Sequence, residues 1–118
     1  MSENGLSVVV VGLGFGGAFS AIYLDHPAVS RVAVCERDER RLHAITERHE
    51  FADVFTDLEK VLRCDYDAVH LVTGIPDHAR QALAVLNAGK HCACTVPMAT
   101  SLDDFHAVVE AQRRSSCS

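Results

Sequence analysis

Three features of this chain predict an α/β fold built on a doubly wound parallel sheet with helices on both faces. Valine-rich apolar runs alternate with stretches whose apolar residues recur at helical spacing. The first run feeds directly into a glycine-rich turn, "VVVVGLGFGGAFSA" from Val8 to Ala21, set between a strand pattern and a helix pattern. The composition, 48% hydrophobic and 23% charged over 118 residues, is that of one ordinary globular domain.

The elements follow in order. Leu6 to Val11 is a nearly continuous apolar run stopped by Gly12, the pattern of a parallel strand covered on both faces. Gly16 to Asp25 carries Ala18, Ala21 and Ile22 at helical spacing, and "DHP" at Asp25 to Pro27 ends that helix. The pair then repeats. Val32 to Cys35 reads as a second strand, and Glu39 to His49 as a helix with Leu42 and Ile45 on one face. Ala52 to Phe55 is expected as a third strand, followed by a short helix from Leu58 to Arg63. Ala68 to Thr73 is a fourth, buried strand. Asp77 to Ala88 follows as a helix carrying Ala82, Leu83, Val85 and Leu86, closed by Gly89 at its C-terminal cap. His91 to Cys94 is the fifth strand, and Ser101 to Arg113 a last helix that opens with a capping-box spacing, Ser101 and Asp104. With no internal repeat, low-complexity tract or linker, residues 1–118 form a single Rossmann-like domain.

Charge and cysteine usage exclude several classes. Eleven Lys and Arg against sixteen Asp and Glu leave a formal charge of -5, which argues against a nucleic-acid binding surface. The local cluster from Arg37 to Arg41, interleaved with Asp38 and Glu39, reads as a solvated helix start. The polar start "MSENGLS" has no signal-peptide pattern, and no run approaches the ~18 apolar residues of a membrane span. Five cysteines without a framework spacing fit a reducing compartment, so a cytoplasmic location and no membrane partner are expected. His91, Cys92 and Cys94 lie close in sequence, but structural zinc takes four ligands in paired clusters. They are read as buried strand residues, with no metal expected, and His70 and His106 as structural.

The glycines carry the chemistry. Gly12, Gly14 and Gly17 satisfy GxGxxG between a strand and a helix. Gly12 permits the tight turn, Gly14 lets backbone approach a pyrophosphate, and Gly17 allows close helix–strand packing. The amides at the helix start, with Leu13, Phe15 and Gly16 in the same turn, face the anion with the helix dipole behind them. About 20 residues on, at the end of the second strand, Glu36 stands where an acid accepts the adenosine ribose hydroxyls. A carboxylate there repels a 2′-phosphate and favours NAD. Arg37 beside it keeps NADP possible, since a guanidinium stacks on adenine or pairs with that phosphate. Cys35 is expected as a small apolar filler near the adenosine site.

Together these segments resemble the N-terminal domain of the Gfo/Idh/MocA family of oxidoreductases. The resemblance runs over essentially the whole chain: "VVVVGLGFGGAFSAIYL", "VAVCERDERR" and "YDAVHLVTGIPDHARQALAVLNAGKHCACTVPMATS". It implies that Thr73, Gly74 and Pro76, in the family's TPxxxH-like segment, line the dinucleotide cleft. His78 opens the next helix beneath it, and Ala88 to His91 match the family's AGKH. The family's fifth strand usually ends in Glu-Lys-Pro, whose lysine is taken to help catalysis. Here the residues are Thr95, Val96 and Pro97. Pro97 still shapes the turn and Thr95 offers one hydroxyl to the cofactor, but valine carries neither proton nor charge, so no catalytic residue is assigned.

The family also carries a larger C-terminal αβ domain that supplies most of the substrate pocket. The chain is accordingly expected to be a dinucleotide-binding half, truncated after "AQRRSSCS", with a sheet edge and a domain-facing surface uncovered. Three functions follow from this reading. One is the NAD(P)-binding part of an oxidoreductase that moves hydride between nicotinamide and a sugar, polyol or related carbonyl compound, inactive by itself. Another is a dinucleotide-binding module without turnover, and the third a fragment without independent activity. The dinucleotide is the expected partner, with a small-molecule substrate only where a second domain is present.

Overall fold

The computed structural model describes residues 5–95, 99–115 and 117. Strand β1, Leu6–Val11, lies at the centre of the sheet, which explains its uninterrupted valines: Val9 and Val10 point to opposite faces and both are fully buried. It is followed by helix α1, Leu13–Asp25, then β2, Val29–Cys35, and helix α2, Glu39–Thr46. Next come β3, Asp53–Phe55, helix α3, Leu58–Arg63, and β4, Ala68–Leu71. A 3₁₀ turn, Ile75–Asp77, leads into α4, His78–Asn87; β5, His91–Cys94, and α5, Leu102–Ser115, complete the fold. The strands are parallel in the order β3-β2-β1-β4-β5, as the alternation predicts.

Helices cover both faces. Val10 and Val34 pack with Leu13 of α1 and Ile45 of α2 on one side. On the other, Val9, Val11, Val69 and Leu71 meet Val61 of α3, Ala82, Val85 and Leu86 of α4, and Val108 and Ala111 of α5. Among the described residues no helix is long and apolar enough to cross a membrane.

Several boundaries differ from the sequence expectation. Helix α1 starts at Leu13, not Gly16, so the glycine turn already belongs to the helix. Strand β2 begins at Val29 rather than Val32, because pairing with Leu6 and Ser7 of β1 extends it through the exposed Ser30 and Arg31. Strand β4 ends at Leu71, where the chain turns into the cleft, and α2 ends at Thr46. Cys92 and Cys94 are half-buried instead of buried, since β5 is an edge strand with one neighbour. His70 is buried and His106 exposed.

Helix ends follow capping rules. Asp38 and Asp57 accept the amides of Arg40 and Glu59 at the starts of α2 and α3. Ser101 Oγ accepts the Asp104 amide at 3.1 Å, as its spacing predicts, and Gly89, with φ 77°, closes α4. At the N-terminal end of the sheet, Lys90 is 7% exposed and donates from Nζ to the carbonyls of Cys64 at 2.6 Å and Tyr66 at 2.9 Å. Ser7 and Asp67, sixty residues apart, exchange hydrogen bonds between β1 and the start of β4.

Candidate functional site

The strand order reverses direction between β1 and β4: the chain leaves β1 toward β2 and β3, and leaves β4 toward β5. A crevice outside the carboxyl ends of the strands follows from that geometry. Here it is a cleft of about 940 Å³, walled by Gly12, Gly14 and Phe15, by Glu36, Arg37 and Arg41, by Asp57 and Leu58, and by Thr73, Gly74, Arg80 and Gln81.

Gly12 makes the turn. Its amide donates to the Cys35 carbonyl at 2.9 Å, and its φ of 91° and ψ of 105° are open only to glycine without strain. A Cβ there would stand 2.6 Å from the Val72 carbonyl oxygen, so the turn presses directly on the end of β4. At Gly14 the nearest atom to such a Cβ is Arg41 Nη1 at 3.7 Å, which leaves the backbone open to the cleft. No side chain caps α1 from Gly12, and amides of a first helical turn have no partner inside the helix. An anion seated over Gly14 and Phe15 would take that role.

Glu36 is already oriented. Its Oε1 accepts the Leu13 amide at 2.8 Å and its Oε2 the Asp38 amide at 3.0 Å, while Arg41 Nη1 stands 3.8 Å from Oε1. Each carboxylate oxygen keeps a further lone pair for a ribose hydroxyl. Cys35, beneath it, is pushed up to about 12 by burial and then by the carboxylates of Asp57 and Glu36. It is a protonated thiol in the cleft floor, without nucleophilic character near neutral pH.

At the other end of the cleft, Thr73 Oγ1 donates to Gln81 Oε1. His78 is 1% exposed, with Nε2 2.8 Å from the Thr73 carbonyl oxygen and 3.3 Å from Thr95 Oγ1. It ties the ends of β4 and β5 together from below, holding Thr73 and Thr95 in place without reaching the cleft surface itself.

Of the residues expected from sequence, Gly12, Gly14, Phe15, Glu36, Arg37, Thr73 and Gly74 line the cleft. Leu13 contributes its amide to Glu36 and buries its side chain. The packing role expected of Gly17 falls to Gly16, where a Cβ would stand 3.0 Å from Val10 Cγ1; at Gly17 it would meet Ile45 Cδ1 of α2 at 3.2 Å. Pro76 is exposed in the 3₁₀ turn, and of that turn it is Asp77 that lines the cleft. Thr95 sits half-buried at the end of β5, and Pro97 lies outside the described residues. Sequence reasoning missed Arg41, Asp57, Arg80 and Gln81 as cleft residues. Arg41 had a signal, since a helix that starts four residues after a strand end keeps its first turn beside that end. The other three are brought in by the fold alone.

Residues 6–118 match the model of GFO_IDH_MocA, an oxidoreductase family with an NAD-binding Rossmann fold. The chain belongs to the Gfo/Idh/MocA family. It is 33% identical over 110 residues to a 4-carboxy-2-hydroxymuconate-6-semialdehyde dehydrogenase of Sphingobium, covering 89% of this chain and 35% of the relative. To an inositol 2-dehydrogenase of Rubrobacter xylanophilus it is 36% identical over 110 residues, covering 91% and 31%. Among solved structures, the WlbA dehydrogenase from Bordetella pertussis in complex with NADH and UDP-GlcNAcA superposes with a TM-score of 0.87 at 25% identity, over 96% of this chain and 35% of that one. The Gfo/Idh/MocA chain described here thus spans about a third of the length of the relatives it matches, and is the family's NAD-binding Rossmann domain.

Proposed function

We propose that the cleft binds NAD(H), with the adenosine ribose on Glu36, the pyrophosphate over the Gly12–Phe15 turn and the nicotinamide half toward Thr73 and Thr95. The observation that carries this reading is the pairing of a glycine-rich helix start with a carboxylate fixed by two amides, one of them Leu13 in that same turn, at the switch point of the sheet. The missing Cβ of Gly14, whose nearest neighbour would be Arg41 Nη1 at 3.7 Å, leaves room over the turn for a pyrophosphate, while glycine at position 12 lets the turn close against Val72. Bound nicotinamide supplies or accepts a hydride. The chain's own residues bind and orient it, with Gln81 fixing the Thr73 hydroxyl and His78 fixing the strand ends.

In a complete protein of this family, this domain would present the nicotinamide to a sugar, polyol or related carbonyl substrate held by a second domain. The curated relatives, a semialdehyde dehydrogenase and inositol dehydrogenases, support that substrate class. A second reading, binding without turnover, is favoured by Val96, a residue that offers neither proton nor charge at the position of the family's lysine.

Calorimetric titration of the chain with NADH tests the shared premise, alongside Gly14→Val, whose side chain would stand in the path of the pyrophosphate. Saturable binding in the parent and none in a folded variant is the expected result. Absence of binding by the folded parent chain would refute both readings.

A further inference from the structure

Arg41, in the first turn of α2, stands where the adenosine end of a dinucleotide would meet Glu36. Its Nη1 lies 3.8 Å from Glu36 Oε1 and 3.7 Å from the position of a Cβ on Gly14. The guanidinium therefore spans the gap between the ribose acceptor and the phosphate-binding turn. Its side chain is 59% exposed against 10% for Glu36, so the cation is on the solvent side of the pair.

The two charges differ in freedom. Glu36 cannot rotate away without leaving the amides of Leu13 and Asp38 unpartnered. Arg41 has one long contact and a flexible stem, and its planar fork of donors suits a phosphate as well as a carboxylate. It is the mobile charge beside a fixed one. Arg37 lines the cleft too, but Arg41 is the arginine within ion-pair range of the carboxylate.

We propose that Arg41 sets the cofactor selectivity of this site. Paired with Glu36, it reduces the negative field at the ribose 2′ position; turned outward, it supplies the counter-charge for a 2′-phosphate. The chain therefore tolerates NADPH better than the Glu36 carboxylate alone would allow. This rests on the reading of the cleft as a dinucleotide site.

The test is a charge-removal cycle followed by calorimetric titration with NADH and NADPH: the parent chain, Glu36→Gln, Arg41→Met and the double variant. Methionine keeps apolar length, so Arg41→Met should melt with the parent; glutamine keeps an acceptor for the Leu13 amide but sets its NH2 against the Asp38 amide, so Glu36→Gln and the double variant should melt lower, and all titrations are made below the lowest of the four transitions. Glu36→Gln should improve NADPH relative to NADH by about tenfold, and Arg41→Met should worsen it by a similar factor, the scale of one charge-assisted hydrogen bond. In the double variant the gain from Glu36→Gln should vanish. If the parent binds NADH but Arg41→Met leaves the NADH to NADPH ratio unchanged, or the double variant keeps the gain, Arg41 does not set selectivity. If the parent binds neither, the dinucleotide reading falls and this proposal with it.

Discussion

Alanine at Gly12 and at Gly14 should have opposite effects, although both glycines belong to one motif. At Gly12 the backbone sits at φ 91°, where a side chain costs about 1–3 kcal/mol in strain. The added Cβ would also stand 2.6 Å from the Val72 carbonyl oxygen and 2.8 Å from its carbon, backbone atoms at the end of a core strand. Such overpacking costs about 1–3 kcal/mol more. The sum, roughly 2–6 kcal/mol, is a large part of a typical domain's 5–15 kcal/mol. At Gly14 nothing lies nearer than 3.7 Å, and alanine favours a helix over glycine by up to about 1 kcal/mol. Urea unfolding followed by circular dichroism should place the Gly12→Ala midpoint about 1–3 M below the parent. Gly14→Ala should match or exceed the parent midpoint while weakening NADH binding. Equal midpoints for the two variants would refute the claim that Gly12 is kept by contact with β4.

Two further outcomes follow from buried polar groups. Lys90→Met removes the ammonium from the Tyr66 carbonyl and from the Cys64 carbonyl, which keeps the Tyr66 amide at 3.1 Å, and should cost about 1–3 kcal/mol by chemical denaturation; a loss below about 0.5 kcal/mol would show that water replaces the ammonium. Burial holds the His70 imidazole below its usual value, so the folded chain binds fewer protons there than the unfolded chain. The stability this contributes is complete above about pH 6.5 and is lost as pH falls through the lower folded value. His70→Phe should therefore lose less melting temperature between pH 7.5 and pH 5 than the parent, and equal acid sensitivity would count against the assignment.

The parts legible in sequence were those where one local rule decides. The valines of β1, Gly12 after them, the capping Ser101 and the closing Gly89 each have a backbone reason visible in a few residues. The phase of α1 was not legible: apolar residues surround it, with Phe15 and Ile22 exposed while Leu13, Gly16 and Ser20 face inward. No polar stripe marks which side meets the sheet, hence the exchange of roles between Gly16 and Gly17. Glu36 was found because its distance from the glycines reflects one helix and one strand. Asp57 and Gln81 reach the same cleft through parallel crossovers, so their sequence neighbours carry no trace of that meeting.

The central position of β1 has a consequence for how the chain is made. Strand β1 has its two partners 23 to 24 residues and 60 residues downstream, as the pairs Leu6↔Val29, Val8↔Val32 and Val8↔Ala68 show. At about 5–20 residues per second, roughly 3–12 s pass between the emergence of the valine run and that of β4. Through that interval the valine run is outside the ribosome with the edge that β4 will cover still unpaired. Delivery of β4 then releases the fold, and the ligand cleft, lying between these two strands, is assembled at that moment and not before.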